Sequence, residues 1–370
     1  MPRIQGIPDL GPGLRLHLNE NTGGCSPKVV EAVRAFEASG LATYPDYRAA
    51  VVETARFLGV DPEWLVLTNG LDEGVLLAAI GYLGPTAAGI AGLKSRATDR
   101  HATHRDDVSD RAGLEPGEVL IALPAFETYI TTSKALGARI VAVPPAADYA
   151  FPVEAMRAAI TANTRLIYIN NPNNPTGQPV AKDAIRRLAR EAPHALIFVD
   201  EAYHDFMGEN FLDEALSYPN VLVGRTFSKA HGLAGMRVGV MIAPPPVLEP
   251  IRLVMPLFNL NVVAVAALRA ALTDRDFTPW SVAQATRSKQ MLYDVCARVG
   301  LRYWKSAANF VLVDGGSGAR QLVDGMIARG VLVRDRTNDP SCPNCFRITA
   351  GVVEHTEKAV AALEALCAKG

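Results

Sequence analysis

The sequence lacks long apolar runs and has no excess of charge of either sign. No stretch of about twenty consecutive apolar residues occurs in its 370 residues, so no membrane-spanning helix is expected. Lys and Arg number 37 against 38 Asp and Glu, and the formal net charge of −1 gives no overall case for binding nucleic acid or a membrane surface. The opening residues, MPRIQGIPDLGPG, lack the basic and then apolar pattern of a secretion signal. We therefore expect a cytoplasmic protein with neither a nucleic acid nor a membrane as partner.

The sequence is also poor in cysteine. Five cysteines in a chain of this length do not make a disulfide framework. Cys342 and Cys345 form a C-x-x-C pair in SCPNC, but a zinc site would need two further ligands. A redox pair would open a helix after a strand, whereas this pair lies in a turn rich in Pro and Asn. We interpret both residues as ordinary thiols and expect no metal site.

Short apolar runs alternate with longer helical patterns through the middle of the chain. This alternation predicts an α/β fold of three layers, with a mostly parallel sheet between two layers of helices. The runs are EWLVLT, EVLIAL, RIVAVP, RLIYIN, ALIFVD, NVLVGR and RVGVMIA. Residues 84–113 break the pattern, because they are rich in Arg, Asp, Thr and Gly and predict a polar loop or a disordered insertion. His101 and His104 in this insertion lack partners for a metal site, so we interpret them as solvated.

The sequence after about residue 260 has a different order of elements. Helical patterns at 261–272 and 278–298 lead into ANFVLVDG, a helix, GVLVRD, CFRITAG and a final helix, which is an α+β pattern. We therefore predict a large domain over 27–262 and a smaller α+β domain made by 263–370 together with 1–26.

Polar side chains follow five of the predicted strands. Ligands bind beyond the carboxyl ends of the strands in a parallel α/β sheet, so these side chains are expected to share one site. The segments are NGLDEG, which opens a helix at Gly70; PAFETY, with Phe126 and Tyr129; the amide-rich turn NPNNPTG; Asp200 with Tyr203; and TFSK, which ends at Lys229. Backbone N–H groups at the start of the helix after Gly70 suit a phosphate. Together the segments supply an anion cradle, an aromatic face, amides, a carboxylate and a lysine.

This set of groups fits pyridoxal 5'-phosphate (PLP). That cofactor needs a lysine for its Schiff base, a carboxylate that keeps its ring nitrogen protonated, and anchors for its phosphate. The motifs NPNNPTG, DEAY and SK, the last followed eight residues later by an arginine, occur in this order. On these motifs the chain resembles the fold-type-I, class I and II PLP-dependent aminotransferases, and within them the histidinol-phosphate aminotransferase group. The resemblance runs from LNEN to FRITAG, apart from the insertion.

The resemblance implies a role for each residue of the predicted site. Lys229 would form the Schiff base, Asp200 would pair with the ring nitrogen, and Tyr203 and Asn174 would bind the 3-oxygen of the ring. Phe126 would stack on the ring face. The phosphate would be held by a larger set, comprising Gly70, the backbone N–H groups of Leu71 and Asp72, the side chains of Thr226, Ser228 and Arg237, and Tyr44 of the neighbouring subunit. The last contact implies a homodimer with shared active sites.

The resemblance also implies where a small-molecule amino donor and a 2-oxo acid bind. Arg347 would bind the anionic group of the donor, and Arg334 would be a second arginine for a phosphate-bearing donor, because two guanidiniums can share a dianion. Asn309 and Asn21 would also face the substrate. We predict transfer of an amino group from histidinol phosphate, or a related amino acid, to 2-oxoglutarate. Two alternatives stay open: an aminotransferase for aromatic or other amino acids of a specialised pathway, and a PLP-dependent decarboxylase of an amino-acid phosphate.

The chain departs from the family pattern at two places. The family has proline after NEN, whereas this chain has Thr22 followed by Gly23 and Gly24, and two glycines predict a looser or reshaped lid. His231 stands where an apolar or aromatic residue is expected. It would either alter specificity or cap a turn.

Overall fold

The computed structural model describes residues 11–84 and 117–368. The insertion predicted at 84–113, with His101 and His104, therefore lies outside the described residues from position 85 onward. The strands are β1 Leu14–Leu16, β2 Leu65–Thr68, β3 Glu118–Ala122, β4 Arg139–Val143, β5 Thr164–Asn170, β6 Leu196–Asp200, β7 Val221–Thr226, β8 Gly239–Ile242, β9 Arg302–Tyr303, β10 Phe310–Asp314, β11 Val331–Arg336 and β12 Cys345–Thr349.

Helices connect and cover these strands. They are α1 Pro27–Arg34, α2 Ala38–Leu41, α3 Arg48–Leu58, α4 Gly70–Leu83, α5 Glu127–Ala135, α6 Val153–Ala158, α7 Lys182–Glu191, α8 Leu212–Ala215, α9 Pro245–Val254, α10 Val262–Thr273, α11 Phe277–Arg298, α12 Ala319–Ala328 and α13 Val353–Cys367. None of the helices within the described ranges has the length and apolar character needed to cross a membrane.

The larger sheet has seven strands in the order β2-β8-β7-β6-β5-β3-β4. The neighbours from β7 through β4 are parallel, and β8 is antiparallel to both β2 and β7. In β6, Leu196 and Phe198 enter one apolar cluster and Ile197 and Val199 enter another, so both faces of the sheet are covered. The seven predicted apolar runs all form strands of this sheet, and the predicted α/β fold with a mostly parallel sheet is confirmed.

The smaller sheet has five strands in the order β1-β11-β12-β10-β9. β1 pairs in parallel with β11, whereas β12 is antiparallel to both β11 and β10. Leu292 and Val295 of α11 pack with Val323 of α12 and Leu363 of α13 in the apolar cluster of this sheet. The strands of the two sheets come from the ranges predicted for the two domains, and the domain bounds themselves stay a prediction.

Candidate active site

The carboxyl ends of β5, β6 and β7 lie side by side at one edge of the larger sheet. Asn170 is paired with Asp200 across β5 and β6, and Asp200 is paired with Gly224 of β7. The segments that leave these strands therefore begin next to one another, as expected for a site beyond the carboxyl ends. Lys229 follows the end of β7 by three residues.

Asp200 is a buried carboxylate that accepts two hydrogen bonds. The Tyr129 hydroxyl donates to Oδ2 at 2.5 Å, and the backbone N–H of Ala202 donates to Oδ1 at 2.9 Å. Burial raises the pKa of Asp200 to about 6, although both hydrogen bonds act to lower it. The ring of Tyr129 stacks on Tyr168 with centroids 4.4 Å apart, which orients its hydroxyl. Sequence reasoning placed Tyr129 at the edge of the cleft and missed its bond to Asp200.

The hydroxyl of Tyr203 is where two side-chain amides meet. Asn19 and Asn174 donate to it at 3.0 and 3.3 Å. Asn19 has a φ of 56°, and its backbone N–H donates to Thr349 Oγ1 at 3.0 Å. Asn174 was predicted to act with Tyr203, whereas Asn19 was missed. Only its place in the LNEN motif could have pointed to Asn19, because a positive φ at a non-glycine residue is not visible as a sequence pattern.

Lys229 lies in a cleft formed by segments that follow strands of both sheets. Its amine donates to the Leu18 carbonyl at 3.2 Å and lies 5.7 Å from the centroid of the Tyr203 ring. The same cleft is lined by Asn21, Phe206, Asn309 and Gly351. A neutral carbonyl is the acceptor, and no carboxylate within the described ranges forms an ion pair with this amine. The amine is therefore available for covalent chemistry beside Tyr203.

The start of α4 lies very close to Arg237 and to β8. Gly70 has a φ of 73°, and a Cβ added there would lie 2.3 Å from Arg237 Nη2. A Cβ added at Gly239 would lie 2.7 Å from the backbone nitrogen of Leu71. Close approach of backbone and guanidinium therefore requires glycine at both positions.

The other groups predicted for the phosphate cradle surround this helix start. Thr226 is the register partner of Gly239, and its hydroxyl lies 2.9 Å from that of Ser228. Arg237 donates to the Asp72 carboxylate at 2.8 Å. The Asn69 side chain makes no capping hydrogen bond, so the first N–H groups of α4 have no side-chain cap. Such a helix start, beside an arginine and two hydroxyls, suits a phosphate.

Arg347 of β12 is a buried arginine with an unused donor. Its guanidinium donates to Asn174 Oδ1 and, at 2.9 Å, to the His17 carbonyl. Its Nε has no hydrogen-bond partner among the described residues. Burial lowers the pKa of Arg347 to about 10, so the group stays charged at neutral pH. A buried charged donor without a partner is costly, and an anionic ligand would satisfy it.

Arg334 faces Arg347 across the smaller sheet. The two residues are register partners on the antiparallel strands β11 and β12, so their side chains share one face. Nη2 of Arg334 lies 3.6 Å from Glu127 Oε1, which makes an ion pair too long for a good hydrogen bond. Like charges directly opposite each other repel, so this arrangement favours an anion between them.

Asn309 and Asn21 both line the Lys229 cleft but differ in what they offer a ligand. Nδ2 of the buried Asn309 donates to the Asn19 carbonyl at 3.2 Å, and its Oδ1 has no partner in the described part of the chain. Asn21 donates to the Ala230 carbonyl at 3.1 Å and to Ser281 Oγ at 2.8 Å. Asn309 thus has an acceptor without a partner among the described residues, whereas the Asn21 amide binds the residue that follows Lys229.

The two aromatic residues predicted to touch the cofactor lie in different places. Phe126 directly precedes α5, and its ring meets Tyr129 edge-on with centroids 5.6 Å apart. Tyr44 is 74% exposed and stacks on Phe258 at 4.1 Å. Phe126 is therefore next to the Asp200 partner, and Tyr44 lies on the surface of its own chain.

Thr22, Gly23 and Gly24 each meet a different local requirement: a hydrogen bond, close packing and a positive φ. Thr22 Oγ1 accepts a hydrogen bond from the Val352 N–H at 2.9 Å. A Cβ added at Gly23 would lie 2.6 Å from the Trp280 ring, and Gly24 has a φ of 88°. This segment is held by local contacts, and the effect of the two glycines on a lid, looser or reshaped, stays a prediction.

His231 is packed among aromatic rings and forms no turn-capping hydrogen bond within the described residues, while its expected effect on specificity stays a prediction. The imidazole packs edge-on against Phe227 and Phe57, with centroids 5.0 and 5.9 Å apart. It is buried, its Nδ1 has no partner among the described residues, and burial lowers its pKa. The ring acts as a neutral aromatic group of the core.

Cys342 and Cys345 are buried free thiols. They pack with Trp304 and Leu312 in a small apolar cluster, and burial raises their pKa values to about 12 and about 11. Such thiols are poor nucleophiles at neutral pH, because the thiolate is the reactive form.

Comparison with known proteins agrees with this geometry. The family model for aminotransferase class I and II matches residues 102–363. A histidinol-phosphate aminotransferase of Symbiobacterium thermophilum is 35% identical, covering 100% of this chain and 93% of that protein. Histidinol-phosphate aminotransferase 2 of Ralstonia nicotianae is 36% identical, covering 96% and 89%. The crystal structure of histidinol-phosphate aminotransferase from Sinorhizobium meliloti in complex with pyridoxal-5'-phosphate has a TM-score of 0.81 at 28% identity, covering 97% of this chain and 92% of that one. The chain belongs to the class I and II aminotransferase family, which confirms the PLP-dependent aminotransferase predicted from its motifs.

Proposed function

We propose that this aminotransferase moves an amino group from histidinol phosphate, or a related amino acid, to 2-oxoglutarate. The observation that carries the proposal is the pair of arginines on β11 and β12. The buried Nε of Arg347 has no partner in the part of the chain that the structure describes, and Arg334 lies opposite it on the same face of the sheet. Two guanidiniums on one face can bind the phosphate of such a donor, or the carboxylate of an amino acid.

The residues present fit PLP at the edge of the larger sheet. We propose that Lys229 forms the covalent anchor, Asp200 meets the ring nitrogen, Tyr203 and Asn174 meet the 3-oxygen, and Phe126 covers one face. The helix start after Gly70 would take the phosphate, with Leu71, Asp72, Thr226, Ser228 and Arg237 around it. The fit rests on three features of the described residues: none of them gives the buried Asp200 a cationic partner within hydrogen-bond distance, Gly70 and Gly239 leave room for close approach, and the Asn69 side chain does not cap the start of α4.

Each residue of the chain then has a defined task. When bound, PLP supplies an electron sink for the α-carbon of the donor. The Asp200 carboxylate, positioned by Tyr129 and Ala202, holds a proton on the ring nitrogen. With the cofactor bound, the Lys229 amine would take up and release the proton of the donor α-carbon. This task suits an amine whose acceptor is the neutral carbonyl of Leu18.

Asn174 contacts both Tyr203 of the proposed cofactor site and Arg347 of the proposed substrate site. It donates to the Tyr203 hydroxyl at 3.3 Å and accepts from the Arg347 guanidinium. Arg347 is further fixed by the His17 carbonyl at 2.9 Å. A donor whose anionic group binds Arg347 is thereby oriented relative to Tyr203 and Lys229, and such orientation is a large part of the rate enhancement in bimolecular reactions.

The first experiment is an absorbance spectrum of the purified protein during addition of single amino donors. Histidinol phosphate, glutamate and phenylalanine are added separately, and we expect the band of the lysine-bound cofactor to convert to that of the aminated cofactor. The donor with the fastest conversion identifies the substrate class. Carbon dioxide release would instead support the decarboxylase alternative, which has less support because the curated relatives are aminotransferases. Absence of the band after PLP is added would contradict the proposed cofactor seat.

Replacement of Arg334 by alanine is expected to affect phosphorylated donors selectively. Loss of one charge-assisted contact to the phosphate should lower kcat/KM for histidinol phosphate by roughly 10–100-fold. The value for phenylalanine should change by less than about threefold, because Arg347 remains to bind its carboxylate. Arg302→Ala removes an exposed arginine elsewhere in the same sheet and serves as the control. Equal losses for both donors would contradict the assignment of Arg334 to the phosphate.

We propose that two copies of the chain form a dimer in which Tyr44 serves the cofactor of the partner. Tyr44 is strongly exposed, stacks on Phe258 and is not among the residues that line the Lys229 cleft of its own chain. Other exposed large apolar side chains lie near these two rings in sequence: Leu41 precedes Tyr44 by three residues, and Leu253 and Leu257 precede Phe258. Apolar side chains left on a surface in this way favour an interface.

A mixture of two inactive or weakened variants tests the shared site. In a heterodimer of Lys229→Ala and Tyr44→Ala chains, the site built on the Tyr44→Ala chain keeps its own lysine and receives Tyr44 from the partner. Equal mixing after dissociation should therefore restore about one quarter of wild-type activity, because half of the dimers are mixed and each has one intact site. Activity that stays at the average of the two separate variants would show that Tyr44 does not act across the interface.

A further inference from the structure

Glu127 lies among the arginines that face the substrate. It is the first residue of α5, directly after Phe126. Its Oε1 accepts a hydrogen bond from Arg336 Nη1 at 2.8 Å and lies 3.6 Å from Arg334 Nη2. The Glu127 side chain is 64% exposed, whereas that of Arg336 is only 11% exposed. A carboxylate at the open side of the cluster is therefore held by two arginines of β11.

The charged side chains around Glu127 form a small group whose net charge can be counted. Alternation along a strand puts Arg334 and Arg336 on the face that Arg347 shares. Asp335 points to the other face, where it accepts a hydrogen bond from Arg320 at 2.8 Å. Arg336 has a second acidic partner, Asp339. Within the group of side chains that contact Glu127 or interact electrostatically with Arg347, together with their ion-pair partners, three guanidiniums thus meet two carboxylates, Glu127 and Asp339, which leaves one net positive charge for a ligand.

We propose, on the basis of the proposed function, that Glu127 is a specificity-determining residue that disfavours doubly charged donor groups relative to singly charged ones. A singly charged carboxylate balances the one net positive charge of this group of side chains. A phosphate monoester, with nearly two charges at neutral pH, leaves an excess negative charge beside Glu127. One additional charge pair at about 4 Å in water corresponds to roughly a fivefold change in affinity. Arg334 and Arg347 attract both kinds of group, and Glu127 sets the ratio between them.

The test is the binding of two unreactive compounds to the cofactor-loaded protein. 2-Phenylethyl phosphate and 3-phenylpropanoate share a phenyl ring on a two-carbon linker, and neither has an amino group. Their dissociation constants are measured by calorimetry at pH 8, where the phosphate monoester is doubly charged. In Glu127→Gln we expect the phosphate to gain about fivefold in affinity relative to the carboxylate. Glu127→Asp, which keeps the charge, should retain the wild-type ratio.

Glu154→Gln is a matched control. The Glu154 side chain is 66% exposed and bridges Arg157 at 2.6 Å and Arg187 at 2.8 Å on another surface, so its loss changes the net charge equally. Its affinity ratio should equal that of the wild type. An unchanged ratio in Glu127→Gln, an equal change for both compounds, or a loss of phosphate affinity would overturn the proposal, as would failure of both compounds to bind the wild type. This binding measurement does not require turnover. If the protein converted no donor, the proposed function would be refuted, but the effect of Glu127 on binding could still be interpreted.

Discussion

Replacement of Lys229 by alanine is expected to abolish amino transfer, with kcat/KM reduced by at least about 10⁴-fold. The reason is that one amine performs two tasks. In the proposed function it anchors the cofactor covalently and also moves the proton of the donor. No second amine is among the residues that line the cleft around Lys229, so the chain offers no substitute in its described part. Steady-state kinetics and the visible spectrum of the purified variant provide the measurement.

The spectrum separates a loss of chemistry from a loss of folding. Lys229→Ala should keep the far-ultraviolet circular dichroism of the wild type but lose the band of the lysine-bound cofactor. Lys28→Ala is a suitable control, because Lys28 also donates its amine to a backbone carbonyl, that of Thr273, on the exposed surface. That control should keep both the band and the activity. A Lys229→Ala protein with the wild-type band would show that another group holds the cofactor.

Replacement of Asp200 by asparagine should have the second-largest effect. Asparagine has nearly the same shape and can still accept from Tyr129 or Ala202, but it cannot carry the negative charge. Removing one member of a buried ion pair typically costs about 3–5 kcal/mol, which corresponds to roughly 10²–10⁴-fold in kcat/KM. Asp205→Asn removes another shielded carboxylate from the same segment, outside the Tyr129 contact, and should retain near-wild-type kinetics. Less than about a tenfold loss in Asp200→Asn would contradict the role given to this carboxylate.

The same substitution should stabilise the cofactor-free protein at neutral pH. Burial raises the pKa of Asp200 to about 6 from a usual value of 3.8. The native state therefore binds a proton more tightly than the unfolded state, so the contribution of Asp200 to stability is fully present below pH 3.8 and is lost as pH rises through 6. Denaturant unfolding should give Asp200→Asn an advantage over the wild type of about 3 kcal/mol at pH 7 that shrinks toward zero near pH 4. A difference that does not vary with pH would show that Asp200 titrates normally.

Predictions from the sequence succeeded where the signal was local. The apolar run ALIFVD forms β6 and ends in Asp200, and the run NVLVGR forms most of β7, three residues before Lys229. A strand of β-branched and apolar residues followed by a polar segment is readable in one sequence, because alternation and turn chemistry act between near neighbours. The motifs NPNNPTG, DEAY and SK, in that order, identified the family, and the family implied the cofactor.

Predictions from the sequence failed where partners are far apart in the chain. Tyr129 donates to Asp200 from 71 residues away, and Asn19 donates to Tyr203 from 184 residues away. Glu127 meets Arg336 across 209 residues. Such pairings depend on how elements pack, and no pattern within one element encodes them. Gly23 shows the same limit, because its need to be glycine comes from Trp280 in another element and not from local turn geometry.

Asn19 and Arg347 each bind a residue far away in the chain. This separation affects when the active site can form during synthesis. The Asn19 N–H binds Thr349, and Arg347 binds the His17 carbonyl, across 330 residues in each case. A ribosome makes the N-terminal partner first, and that segment must wait for almost the entire chain before it can take its place beside Tyr203. The strands that carry Asp200 and Lys229 can assemble earlier, because their contacts are closer in sequence. These two contacts can therefore form only after residue 349 has been translated, and a chain truncated before residue 347 would have Lys229 without Arg347, the arginine proposed to orient the substrate.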